Sequence, residues 1–174
     1  DLSGDITAQL NAFISDGDLP GVFNMCFGVR AGCIGEVCSV ALILGAVYLM
    51  LRGVISFHIP VAYILTTAVF MLIVSDFNIL FTVYEILGGG LLLGAFFMAT
   101  DYSTSPINKA GKIVFGIGCG ILTAVIRLYG SLPEGVSYSI LLMNIATPLI
   151  EKATAPKYFG FIKPKKEKKE EGAA

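Results

Sequence analysis

Charge is what this sequence has least of. Only 14% of its 174 residues are charged, while 55% are hydrophobic. The few charges are also badly spread. Residues 151–171 hold seven Lys and four Glu, and the first 150 residues carry five basic and nine acidic groups. An ordinary soluble domain is about 25% charged and needs those groups to cover its surface. A soluble globular enzyme, a disordered chain and a nucleic-acid binder are therefore poorly supported. The net charge of −1 carries no information, because body and tail have opposite signs.

Other absences narrow the chemistry. Four Cys without paired spacing give no disulfide framework. Cys26, Cys33 and Cys38 follow a C-x6-C-x4-C pattern that matches no standard metal motif, and Cys119 falls within an apolar run. One His, His58, is too little for a metal cluster or a relay. No nucleophile–base pair, phosphate loop or metal-ligand spacing is present, so no autonomous active site and no metal site is expected. Residues 1–30 lack a basic start followed by an apolar run, so no signal peptide is expected. The chain opens at Asp1 rather than Met, as a fragment or a processed product would.

What remains is an all-α integral membrane protein. Residues 1–35 read as an extracytoplasmic segment: Asp1, Asp5, Asp16 and Asp18 alternate with glycines. Within it, Leu10, Phe13 and Ile14 suit a short amphipathic turn, and Pro20 opens an interfacial helix through Val22, Phe23 and Phe27. Residues 36–150 hold five apolar segments: Val37–Leu51, Ile59–Val74, Ile79–Thr100 (interrupted by Glu85 and by Gly88-Gly89-Gly90), Ile113–Leu128 and Val136–Ile150. A bilayer core takes about 20 apolar residues. Several segments fall short of that, and flanking Tyr48, Phe57, Tyr63, Tyr84, Tyr129 and Tyr138 extend them to the interface. The runs are continuous rather than alternating, which indicates helices and not barrel strands. Gly90-x-x-x-Gly94 and Gly116-x-x-x-Gly120 have the spacing that lets helix backbones approach closely.

Basic residues set the orientation. Arg52, Lys109, Lys112 and the seven tail Lys fall on one side, against Arg30 and Arg127 on the other. The rule that cytoplasmic loops are Lys/Arg-rich places the tail, 151–174, in the cytoplasm and the N-terminal segment outside.

Candidate chemistry is sparse. Glu85 lies six residues into the third segment, where a carboxylate costs about 2–3 kcal/mol on insertion scales. Asp101, Thr104 and Ser105 end that segment. They suit a capped turn, a polar ligand or a hydrated cation equally well. Arg127 and Glu134 flank a short outer loop and have the placement to pair across it. Asn144 and Thr147 share a helix face, and Pro148 frees the carbonyl of Asn144, so the fifth segment is expected to be broken as in transporter substrate sites. Interhelical hydrogen bonding is the alternative use of the same residues.

Three strings are more specific: Gly32-Cys33-Ile34-Gly35-Glu36; Gly88 to Pro106, reading GGGLLLGAFFMATDYSTSP; and Leu141 to Ile150, reading LLMNIATPLI, with Pro133-Glu134-Gly135 upstream. They resemble the D subunit of the Rnf electron-transport complex and, more distantly, the B subunit of the sodium-pumping NADH:quinone reductase. The resemblance covers most of residues 20–150. It implies a ten-helix membrane protein of two related five-helix halves, of which this chain would be the C-terminal one. It implies FMN held covalently on a Thr through a phosphoester on the outer face, with room for a second flavin such as riboflavin. It implies partners: the other subunits of a complex that passes electrons between reduced ferredoxin and NAD and moves Na⁺ or H⁺, the N-terminal half of the same subunit, and membrane lipid, with no nucleic acid. In such relatives the flavin Thr sits in a Ser-Gly-Ala-Thr-type motif. The nearest string here is Ser3-Gly4-Asp5-Ile6-Thr7, with two residues inserted and no Pro-Leu directly after. Thr7 is thus either the attachment site in a divergent motif or a loop residue downstream of the true one. Asp101, Thr104, Ser105 and Asn144 would line a second flavin or a polar path, and Glu85 and Asp101 would touch the coupling ion. The rival readings are a non-redox channel or carrier half with its site at the broken fifth segment, and a docking protein whose cofactors belong to partners.

Overall fold

The computed structural model describes residues 26–27, 38–130 and 135–155. Within them lie six helices and no strand: α1 (Ser39–Leu51), α2 (His58–Val74), α3 (Ile79–Leu87), α4 (Leu91–Met98), α5 (Lys109–Tyr129) and α6 (Gly135–Thr154). Most of the interfacial segment at 1–35 and most of the Lys/Glu tail fall outside the described residues.

The helix ends follow from local chemistry. Asp76 and Phe77 both adopt left-handed φ, 50° and 64°, and turn the chain after α2. Asn78 then caps α3, its side-chain oxygen accepting from the Phe81 amide at 3.2 Å. α3 stops at Gly88, and Gly89 and Gly90 take φ of 58° and 69°, a region open to residues without a Cβ. α4 restarts at a 62° bend. Its last five residues, Gly94–Met98, are π-helical, closed by the Ala99 amide donating to the Gly94 carbonyl at 2.8 Å.

Packing is centred on α5, which lies against α2 on one side and α6 on the other, while α4 contacts α1, α2 and α6. The α2–α5 seam is glycine-made. A Cβ at Gly116 would sit 2.8 Å from Ala62 Cβ and 2.9 Å from the Ile59 carbonyl; one at Gly120 would sit 2.8 Å from Thr66 Cβ and 3.0 Å from the Tyr63 carbonyl. The Gly116–Gly120 spacing therefore does what it promised. The Gly90–Gly94 spacing divides its labour: Gly90 makes the break, and Gly94 alone packs against Val136 and Ile140 of α6.

Each long helix buries a mixed face of apolar, small and hydroxyl residues and exposes an almost wholly apolar one. On α2, Ile59, Tyr63, Thr67 and Met71 are buried, and Val61, Leu65, Val69 and Ile73 on the opposite face are exposed. On α5 the exposed stripe is Ile113, Ile117, Ile121 and Val125; on α6 it is Tyr138, Leu141, Leu142, Ile145 and Leu149. A groove over Leu65, Val69, Ile73 and Ile121 is almost wholly apolar. Full burial of such a side chain is worth about 1.5–3 kcal/mol. Exposing one stripe to water would forfeit an amount comparable to a domain's whole stability of roughly 5–15 kcal/mol. The stripes face lipid or protein, not water.

Among the described residues, α5 is long and apolar enough to cross a membrane, and α3 with α4 qualify together as one bent span. α1 and α2 are shorter apolar helices. α6 is a continuous helix through Pro148 and runs past Ile150 to Thr154. The expected break in the fifth segment is absent; the broken segment is the third, where three consecutive glycines outweigh one proline. A membrane helix tolerates a proline when neighbouring groups satisfy the freed carbonyl.

Candidate functional site: a broken helix held by a buried arginine

Two polar centres lie within the bundle, and an exposed clasp ties one of its ends. The first is at the helix break. Arg127 projects from the last turn of α5, and its side chain is only 6% exposed. Its Nη1 donates to the Glu85 carboxylate (Oε2) at 2.9 Å and to the Glu85 carbonyl at 2.7 Å. Its Nη2 donates to the Gly89 carbonyl at 3.0 Å and the Gly88 carbonyl at 3.3 Å. The end of a helix leaves carbonyls without amide partners and carries partial negative charge. Here one guanidinium satisfies them and neutralises Glu85 as well. Glu134, the partner expected for Arg127 across the outer loop, lies outside the described residues; among the described ones Arg127 pairs with Glu85. Charge counting along the sequence missed it because the two residues are 42 positions apart and the break that joins them is tertiary.

The second centre is a hydroxyl cluster joining three helices, all of it buried. The Tyr63 hydroxyl lies 2.5 Å from Thr123 Oγ1 and 3.0 Å from Ser139 Oγ, which are 2.7 Å from each other. Ser139 also donates to the Val136 carbonyl at 2.8 Å. Tyr63 has no free polar group, so the cluster is a brace rather than an open site. Tyr63→Phe should cost about 1 kcal/mol, and Tyr63→Ala about 3–5 kcal/mol because it also leaves a cavity. Thermal unfolding followed by circular dichroism would separate the two.

The clasp lies at the opposite end of the bundle. Asp101 is exposed and accepts from Thr104 Oγ1 at 3.3 Å, and its carbonyl accepts from the Ser105 amide at 3.1 Å, so it caps its own turn. Thr147 Oγ1 donates to the Thr104 carbonyl at 2.9 Å, and Glu151 accepts from the Ile107 amide at 3.0 Å. The Tyr102 hydroxyl donates to the Val54 carbonyl, and Lys112 Nζ to Ser56 Oγ at 3.1 Å. The loop after α4, the start of α5, the α1–α2 turn and the end of α6 are thereby tied together.

Asp101, Thr104 and Ser105 thus share one turn, which Thr147 ties to α6. Asn144 lies one turn from Thr147, with its side-chain oxygen buried and without a partner among the described residues. Glu85 is not near Asp101: it sits at the other end, committed to Arg127. Thr7 lies outside the described residues. No group of His, Cys, Asp or Glu able to hold a metal occurs among the described residues.

An apolar exterior, a core in which hydroxyls are set among apolar side chains, and a helix broken within its span define an α-helical membrane protein. The sequence comparisons place it further. A family model described as NQR2, RnfD, RnfE matches residues 4–160, and the chain belongs to that family. It is 50% identical over 155 residues to the D subunit of the Na⁺-translocating ferredoxin:NAD⁺ oxidoreductase complex of Acetobacterium woodii, covering 88% of this chain and 48% of the relative. It is 47% identical over 139 residues to the D subunit of the proton-translocating ferredoxin:NAD⁺ oxidoreductase complex of Clostridium ljungdahlii, covering 78% and 42%. It is 37% identical over 136 residues to the D subunit of the ion-translocating oxidoreductase complex of Stutzerimonas stutzeri, covering 76% and 38%. The chain therefore spans about half the length, or less, of these relatives.

Proposed function

We propose that this chain is half of a flavin-carrying membrane subunit of an ion-translocating ferredoxin:NAD oxidoreductase, relaying electrons and coupling them to Na⁺ or H⁺ movement. The observation that carries the reading is the 50% identity over 155 residues to the D subunit of a complex so named. The broken span and the apolar exterior support it, because both suit a five-helix half that packs against a second half and against other subunits.

FMN on Thr7 is part of this proposal and rests on the family resemblance. For a second flavin, the residues at the clasp fit in part. The unpartnered buried oxygen of Asn144 is an acceptor awaiting a donor, as a flavin ring N–H or a ribityl hydroxyl would be. Asp101, Thr104 and Ser105 already satisfy one another and would only border such a group. When bound, a flavin supplies one- and two-electron transfer; the protein supplies position and exclusion of water. Asp101, exposed at the clasp, remains the ion-contact candidate, whereas Glu85 is reserved by Arg127. The positive side, with Arg52, Lys109, Lys112 and the tail, is assigned to the cytoplasm, and the N-terminal segment to the outer face of the cytoplasmic membrane.

Peptide mass spectrometry of the purified subunit, read with in-gel flavin fluorescence, tests the reading. An FMN phosphoester on the Thr7 peptide is the expected result. A fluorescent subunit whose Thr7 peptide is unmodified would move the attachment upstream. A subunit with no flavin at all, from cells that flavinylate other proteins, would overturn the flavin assignment.

A further inference from the structure

We propose that the broken end of α3 is a monovalent-cation site, which this chain keeps filled with its own Arg127. The proposal does not rest on the flavin reading.

The ligand set is entirely oxygen. Three carbonyls, from Glu85, Gly88 and Gly89, and one carboxylate oxygen converge on a single guanidinium at 2.7–3.3 Å. Carbonyl and carboxylate oxygens are the ligands of hard cations. Unwound backbone and the C-terminal ends of half-helices hold Na⁺ in membrane transporters for the same electrostatic reason. Gly88 is extended and Gly89 is left-handed, which turns consecutive carbonyls toward one point.

The single carboxylate favours a monovalent ion. Divalent ions usually take several carboxylates or retain their waters.

The match to guanidinium is incomplete. Both Nη atoms are used, yet Nε is buried and has no partner among the described residues. A site shaped for the planar fork would also serve Nε, because Arg offers all five donors in fixed geometry. The oxygens instead surround a compact positive centre, and Arg127 acts as a tethered ion. While it stays, no mobile cation can take these four oxygens.

The test uses the full-length subunit in its complex, with unfolding followed in NaCl, KCl, LiCl or choline chloride at equal ionic strength. Arg127→Ala should gain a Na⁺-dependent rise in Tm of about 4 °C over choline, beyond any seen in the wild type. Guanidinium at tens of millimolar should substitute for Na⁺. Adding Glu85→Gln should abolish both effects. Arg127→Lys, which keeps a tethered charge and loses the fork, should behave as wild type. An Arg127→Ala protein indifferent to every small cation and to guanidinium would overturn the proposal, as would an Arg127→Lys protein as impaired as Arg127→Ala. If Arg127→Ala fails to accumulate, accumulation of Arg127→Lys at wild-type level supports the site, and its loss overturns it.

Discussion

Gly116→Val should separate α2 from α5 and leave little folded protein in the membrane. The added Cβ would lie within 2.9 Å of the Ile59 carbonyl and 3.2 Å of the Tyr63 amide nitrogen, both backbone atoms that no rotamer change can move. A β-branched side chain then adds two methyl groups where the first carbon does not fit. Overpacking costs about 1–3 kcal/mol in a core that can relax. This seam cannot relax without parting Tyr63 from Thr123, which lie 2.5 Å apart across it, so the loss should reach the upper end or beyond. Gly118→Ala on the same helix is the control. Its new Cβ meets the sulfur end of Met143, a flexible side chain, and should cost under about 1 kcal/mol. Folded yield and thermal midpoint by circular dichroism, compared for the two variants, would check this. Equal behaviour would mean that the α2–α5 contact is not the seam described.

The second large effect is an asymmetry at the helix break. Arg127→Met should cost about 3 kcal/mol, in the range for removing one partner of a buried ion pair. It removes the guanidinium from the Glu85 and Gly89 carbonyls and the Glu85 carboxylate, and leaves the Gly88 carbonyl only the Leu91 amide at 3.5 Å. Glu85→Gln should cost only about 1 kcal/mol. Arg127 keeps its three carbonyl partners, and Glu85 is 29% exposed, so solvent already screens its share of the pair. Measured in choline buffer, the ratio of the two losses is the readout. Equal losses would show that the carboxylate, rather than the carbonyls, is what Arg127 serves.

Much of this architecture can be read along the chain because it depends on neighbours in sequence. The apolar run at 59–74 became α2 almost residue for residue, and the run at 113–128 became α5, which starts four residues earlier at Lys109. The Gly116–Gly120 contact follows from spacing alone. Asp101, Thr104 and Ser105 form a local turn, so their mutual contacts are within reach of composition. The Glu85–Arg127 pair is different in kind. Each residue is conspicuous alone, as a charge in an apolar stretch, but their meeting depends on where α3 stops and how α5 lies beside it. Glu134 was the nearer partner for Arg127 in sequence. Likewise Pro148 is a strong local signal for a break, and the surrounding helix overrode it. Three glycines in a row, two of them left-handed, gave the chain a cheaper place to bend.

The π-helical turn at Gly94–Met98 has a consequence for how this family can vary. Such a turn holds one residue more than the α-turn it replaces. Deleting one residue there would leave an ordinary α-turn over nearly the same angle, so the phase downstream would be kept. The same deletion in a regular α-turn would rotate everything after it by about 100°, swing Asp101 and Thr104 off α6 and open the clasp at Thr147 and Glu151. The wide turn is therefore the one place where this helix can lose a residue and still hold its two ends in register.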